Sequence, residues 1–333
     1  MLQRRDFLAG LAGVSGTLAQ TRKALIAITI DLEMARHYPT WDQTEWDYEK
    51  GNLTLPVKQY ALEAAQRVKA KGGVIHFFAV GRVFEQPDVS WLEEIVRLGH
   101  PVGNHTYDHV NIRASRVDAL QPRFRRAPWL IEGKQPLDVI AHNIRITTDA
   151  IRARLEVSPA GFRSPGGFPD GIRDLPAVQR LLLDQGFRWA STQYSGQKKG
   201  IPHYSPESKP ELAHEPAREV FDSILEAQAP SQPYVYPSGL IEIPMCPISD
   251  LIAFRTARWK LDYFLKAIRL TIQQAIERSE VFVFLGHPSC LSVTDPEFRT
   301  VEMMCDLVNA ARGRAELATL DTIATRAAAR TTP

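Results

Sequence analysis

Cysteine is scarce in this chain: 333 residues hold three, Cys246, Cys290 and Cys305. They are too few and too scattered for a disulfide framework or a thiolate zinc site. One pair, Cys246 and Cys290, follows neighbouring strand-like runs and stands as a candidate disulfide in an oxidising compartment. Charge of one sign is also missing. Forty Lys and Arg offset 38 Asp and Glu, a formal net charge of +2. Such a balance gives no electrostatic footprint for nucleic acid or for strongly acidic ligands. No apolar run reaches transmembrane length, so stable membrane insertion is not expected. Internal repeats and low-complexity tracts are absent as well. What is present is ordinary globular composition, 44% hydrophobic and 23% charged, at a length normal for one α/β barrel. Oligomeric state is not legible.

The first 20 residues, MLQRRDFLAGLAGVSGTLAQ, differ from the rest. Arg4 and Arg5 precede a short, mildly apolar Ala/Gly/Leu run, and Thr17-Leu18-Ala19 offers a small-residue cleavage site. This is the pattern of a twin-arginine export signal, with a periplasmic or secreted destination. Residues 21–330 then read as a single domain.

Within that domain short apolar runs alternate with amphipathic ones. ALIAITID (24–31), GVIHFFAVG (73–81), HPVGNH (100–105), AGFRSPGG (160–167), FRWASTQY (187–194), GLIEIPMCP (239–247) and VFVFLGHP (281–288) are strand candidates. Helix-like segments lie between most of them, at 57–72, 90–99, 136–155, 177–186, 260–279 and 299–314, and 316–328 closes with a short strand and helix. Apolar strands separated by helices are βα units around a parallel sheet buried on both faces. Two segments fit no regular element, about 36–52 and about 195–238. Long irregular loops in a compact domain are often functional.

In such barrels chemistry collects where strands end. Here apolar runs end in Asp31 and Glu33, in His105, in Arg163 and in His287. One ionisable strand end can be structural, but several converging on one face are costly without a purpose. The stretch GNHTYDHVN (103–111) adds His109, four residues after His105. That spacing suits a helical or tight turn and lets two imidazoles share one divalent metal. Asp31 and Glu33 project to one side of an extended chain, and Leu32 to the other.

These residues carry a resemblance. The chain is similar to the polysaccharide deacetylases of the NodB-homology group, carbohydrate esterase family four. The family's TFDDG motif is matched by TIDLE (29–33), and H-[ST]-x-x-H by His105-Thr106-Tyr107-Asp108-His109. The strand before it appears as HFFAVG (76–81), R-x-P-x-G as RSPGG (163–167), and L-x-H as Leu285-Gly286-His287. Order and spacing agree over residues 24–324. The resemblance implies a distorted (β/α) barrel of about seven parallel strands. It also implies a divalent metal, zinc first, with cobalt, nickel or manganese as alternatives. Glu33, His105 and His109 would be its ligands. Asp31 would be the general base, Arg163 its partner, and His287 the acid for the leaving nitrogen. Pro165, Trp189 and Leu285 would line the acyl pocket, though Trp189 and Leu285 read equally as barrel core. Trp41 and Trp46, in the first irregular loop, either stack on sugar rings or staple their own loop.

Two departures bear on substrate. Leu32 stands where the family has its second Asp, a metal ligand, and Glu33 would replace it. The fourth motif, an Asp near a Trp, is represented by RWAST (188–192), which keeps Trp189 but has no Asp. The expected activity is metal-dependent removal of acetyl groups from an N- or O-acetylated polysaccharide. Hydrolysis of a non-peptide C–N bond in a small amide is the alternative, and a non-catalytic carbohydrate-binding protein the third reading.

Overall fold

The computed structural model describes residues 22–34, 50–196 and 214–329. The expected N-terminal signal, most of the 36–52 loop with Trp41 and Trp46, and residues 197–213 lie outside the described residues.

The centre of the fold is β1 (Ala24–Leu32), every residue of which is buried. It pairs in parallel with β2 (Ile75–Ala79) on one side and β8 (Val281–Gly286) on the other. The path continues from β2 through β3 (Val102–Asn104), β4 (Phe162–Phe168), β5 (Trp189–Gln193) and β7 (Ile241–Glu242) to β6 (Tyr234–Val235). β6 is antiparallel to β7, and β9 (Ala315–Leu317) pairs with the start of β1. Among the described residues the sheet therefore has nine strands, more than the expected seven. Beyond the seven lie β9, the short closing strand expected at the start of 316–328, and the two-residue β6, which leaves no periodic signal. After β7 the chain bonds to β5 through Ile243 and Met245, then Cys246 N–H donates to Val283 O of β8 at 2.8 Å. One backbone bond from an irregular segment thus bridges the two flanks of the curled sheet, which is the distortion of the barrel.

Alternation along β1 sorts its side chains. Ile26, Ile28, Ile30 and Leu32 join the core under the outer helices. Leu25 and Ala27 face inward with Phe78, Trp189, Ile243 and Val283. The same inward parity continues through Thr29 and Asp31 to Glu33, so one edge of the strand runs from apolar to ionisable. The outer layer includes α1 (Leu55–Ala70), whose Val57, Ala61, Ala64 and Val68 are buried on one stripe.

Sequence boundaries held to a few residues for long elements. Differences fall where tertiary contacts decide. Inside the segment read as irregular at 195–238, the structure has a helix at Arg218–Gln228, with Phe221 and Ile224 in the outer core, and then β6. Short helices at Pro122–Arg126 and Pro288–Thr294 and a π-helical turn at Leu251–Thr256 were also unmarked. Cys246 and Cys290 are not a disulfide: both are buried free thiols, and Cys246 Sγ lies 3.0 Å from Ile248 O. No described helix is long and apolar enough to cross a membrane.

Candidate metal centre and active site

The histidine pair sits in a tight non-helical turn that follows β3. Thr106 and His109 have φ of 58° and 57°, left-handed values unusual for residues with a Cβ. A hydrogen-bond lattice holds that conformation. Asn104 donates to Ile144 O and Thr148 Oγ1 and accepts from Thr106 N–H. Val110 N–H donates to Thr106 Oγ1, and Asp108 N–H to Asn143 Oδ1. The neighbouring backbone approaches closely at Gly81, where a Cβ would stand 2.2 Å from the Tyr107 ring. That contact explains the glycine that ends HFFAVG.

Six predicted residues come together. His105 Nε2 lies 3.2 Å from Glu33 Oε2 and 3.8 Å from Asp31 Oδ2. His109 Nε2 meets the same Glu33 oxygen. His287 Nε2 is 3.6 Å from Glu33 Oε1. Arg163 Nη1 is 3.5 Å from Asp31 Oδ1, Nη2 donates to Thr29 Oγ1, and the guanidinium lies over the Phe78 ring at 4.6 Å. Arg163 is the second residue of β4, not its end as read from sequence. The strand runs on to Phe168 with a shift in its pairing to β5.

The protonation pattern suits a metal. His105 Nδ1 is 2.9 Å from the carbonyl oxygen of Arg163. A carbonyl only accepts, so Nδ1 carries a hydrogen, and a neutral ring would leave the Nε2 lone pair for a metal beside Glu33. Burial pushes the His109 pKa down to about 4 against the pull of Glu33, so this imidazole is neutral at pH 7. Burial alone would raise the Glu33 carboxyl, but the neighbouring His109, Lys50 and His105 hold it well below the ordinary carboxylate range. One carboxylate oxygen and two imidazole nitrogens lie within 4.8 Å of one another. The buried His109 Nε2 makes no well-formed hydrogen bond despite its proximity to Glu33. Two imidazoles and a carboxylate are a donor set for a catalytic divalent metal with open positions.

His287, the expected acid, has a partner that motif reading missed. His287 Nδ1 is 2.8 Å from Asp250 Oδ1, and its backbone N–H donates to Asp250 Oδ2 at 2.6 Å. Burial would lower the His287 pKa. Asp250, followed by Glu33 and Asp31, outweighs it and raises the value. Asp250 precedes the π-helical turn and accepts from Leu251 N–H. The Asp absent beside Trp189 in sequence therefore has a counterpart from another segment. An acid shortly after the GLIEIPMCP strand was the available signal. Lys50, whose Nζ is 3.1 Å from Glu33 Oε1, was not foreseen either.

Asp31, Glu33, His105, His109 and His287 line one cavity of about 360 Å³. Leu285 lines it too, as do Ser164, Gly166 and Gly167, while Pro165 between them is buried. Trp189 does not. It opens β5, donates from Nε1 to Asp321 Oδ1 at 2.8 Å and lines a cleft at the other end of the strands. Four strand steps, roughly 13 Å, separate the first and last residues of a five-residue strand. This geometry corrects the placement of Trp189 in the acyl pocket.

The polysaccharide deacetylase family model matches residues 46–177. The match includes the histidine turn and RSPGG but begins after β1, so Asp31 and Glu33 are placed by the structure. No curated protein matches the chain. Among solved structures, one from Mycobacterium smegmatis assigned to the polysaccharide deacetylases is 16% identical, with TM-score 0.59, covering 95% of this chain and 93% of the other. Another so assigned, from Pseudomonas aeruginosa PAO1, is 13% identical, with TM-score 0.58 and coverage of 93% and 92%. Puue allantoinase is 13% identical at TM-score 0.55, covering 99% of each chain. The chain thus resembles the polysaccharide deacetylases, and its fold is their curled, mostly parallel (β/α) barrel.

Proposed function

We propose that this polysaccharide-deacetylase-like chain is a metal-dependent hydrolase that removes acetyl groups from an N- or O-acetylated polysaccharide. The observation that carries the reading is the convergence of Glu33, His105 and His109 on one point beside Asp31 and His287, in one cavity. Glu33, His105 and His109 would hold the metal. When bound, a divalent ion there, zinc or one of its borderline relatives, supplies a Lewis acid that polarises the acyl carbonyl and acidifies water. Asp31, oriented by Arg163, takes the proton of the attacking water at Oδ2, the oxygen nearer His105. His287, held protonated through Asp250, delivers a proton from Nε2 to the departing nitrogen or oxygen. Arg163 fixes the base and Asp250 fixes the acid, so the two carboxylates have opposite duties.

A second reading, hydrolysis of a small amide at a non-peptide C–N bond, is favoured by one observation: Lys50 and Arg255 also line the cavity. The allantoinase likeness supports it only through the fold. The non-catalytic reading, which rests on Leu32 and on the missing fourth-motif Asp, loses the second of these motives, because Asp250 stands as a partner for His287. Metal analysis of purified protein, joined to acetate release from a panel of acetylated glycans and small amides, tests these readings. A metal-free protein that releases no acetate overturns the first. Export by the twin-arginine route is part of the same proposal, and replacing Arg4 and Arg5 together by Lys should leave the protein in the cytoplasm.

A further inference from the structure

Tryptophan is highly buried on average, yet one is left in water. Trp129 is 68% exposed, whereas the other described tryptophans, Trp91, Trp189 and Trp259, are at most 8% exposed. It stands on a 3₁₀ turn, Pro128–Leu130, between the short helix Pro122–Arg126 and the long helix Pro136–Leu155. Hydrogen bonds close that turn. Leu130 N–H donates to Ala127 O, Ile131 N–H to Pro128 O, and Lys134 Nζ to Leu130 O. Phe124 and Ile131, on either side in sequence, are buried in the core. The backbone is thus fixed where it holds the indole outward.

Beside Trp129 is an open hollow of about 620 Å³, within the range of small-molecule sites. Phe124, Pro128, Trp129 and Ile131 supply its apolar surface. Its charged side chains are Asp118, Arg125, Glu132 and Lys134, two of each sign. Arg125 Nε donates to Asp118 O at 3.0 Å and ties two sides of the hollow together. At Gly133, where φ is 72°, a Cβ would meet nothing within 4 Å, so that edge is open. Leu130 and Leu137 are 40% and 39% exposed, but neither lines the hollow.

This combination selects a ligand class. An indole face offers a flat apolar platform to the C–H face of a pyranose ring. Hydroxyls both donate and accept, so carboxylates and cations serve them equally. A strongly charged ligand would be repelled by half of the same side chains. The hollow is also joined to the histidine turn. Gln121 Nε2 donates to Asp108 O at 2.8 Å, Arg123 pairs with the Asp108 carboxylate, and Asn111 N–H donates to Leu120 O. Asp108 lies between the two histidines proposed to hold the metal.

We infer that the hollow beside Trp129 is a second, non-catalytic subsite for a neutral β-linked pyranose chain, with the indole as its stacking platform. Its ligand class follows the glycan reading above, and it adds a place where the polymer is held away from the reacting acetyl group.

Cellohexaose and chitohexaose are the probes, and cellohexaose has no acetyl group to lose. Binding of either to the full protein should shield from acrylamide the fluorescence that Trp129→Phe lacks. Trp129→Ala should weaken hexaose binding about tenfold, as loss of one stacked ring predicts, with an unaltered melting temperature. Trp129→Phe should keep most of the affinity. Acetate release from a monosaccharide, N-acetylglucosamine, should be the same in all three proteins. Absence of shielding by both hexaoses overturns the subsite, as does unchanged affinity in Trp129→Ala. Shielding that grows with protein concentration and no glycan assigns the face to a second copy of the chain, and also overturns it. Should Trp129→Ala fail to fold, the shielding measurement on the unmodified protein decides alone. Hydrolysis is judged separately: Trp129-dependent binding without acetate release from any acetylated probe sinks the enzymatic reading and leaves the subsite standing.

Discussion

The two ends of the barrel use the same residue types to opposite effect. At the end where β1 starts, His76 is buried with both ring nitrogens on backbone: Nε2 is 2.7 Å from Ala160 O, and Nδ1 accepts from Leu320 N–H. The ring stacks on Phe78 and meets the edge of Trp189, whose N–H is taken by Asp321. At the other end His105 and His287 each give one nitrogen to a fixed protein partner and turn the other toward Glu33. A buried histidine with both nitrogens satisfied is a structural strut. One with a nitrogen kept for a carboxylate and a cavity is equipped for ligation or proton transfer.

Substitution can break this contrast most sharply at the open end. Changing Glu33, His105 or His109 should lower metal content and activity together, whereas Asp31→Asn should keep the metal and lose at least about a hundredfold in turnover. Metal content and initial rates of the four purified variants decide. An emptied site in Asp31→Asn beside a filled one in Glu33→Gln would reverse the roles of the two acids.

Asp250→Asn comes next, with an expected loss of about a hundredfold, which is about 2.7 kcal/mol of barrel-end catalysis. Asp250 raises the His287 pKa against burial, so its loss lowers that pKa. The alkaline limb of the kcat profile should therefore move to lower pH. A lowered rate with an unmoved limb would make Asp250 a packing residue.

His76 sharpens the comparison from the closed end. Burial pushes its pKa down to about 4 from an ordinary value of 6.5. The unfolded chain then binds the proton more readily than the folded one between those values. Stability is fully present above pH 6.5 and is lost as pH falls toward 4, by about 2 kcal/mol at pH 5 from this group. His76→Gln keeps hydrogen-bonding capacity and does not titrate, so denaturant melts at pH 7 and pH 5 should differ less than in the unmodified protein. An unchanged pH difference would remove His76 from the acid response.

The smallest effect belongs to Trp189→Phe. It deletes the bond to Asp321 and should cost about 1 kcal/mol in unfolding free energy, with substrate affinity unaltered. Weakened substrate binding would return Trp189 to the site.

Most of the open end was legible before any coordinates, because its logic is local. Alternation puts Asp31 and Glu33 on one side of β1 and Leu32 on the other, and a five-residue turn brings His105 and His109 together. Strand ends in a parallel barrel share one face, so His287 follows, whereas Arg163 reaches the site from the start of β4. Trp189 could have been placed as well, since it begins its strand and the chemistry lies where strands finish. Lys50, Asp250 and Arg255 were beyond that logic. Each lies outside the strands, in segments whose course no period of 2 or 3.6 dictates, and Asp250 meets His287 from 37 residues away. The order of residues along the chain determined which groups could share a barrel mouth. Only the packed fold decided which cation or carboxylate stands beside which, because those pairings depend on separations of a few ångströms between segments with no contact in sequence.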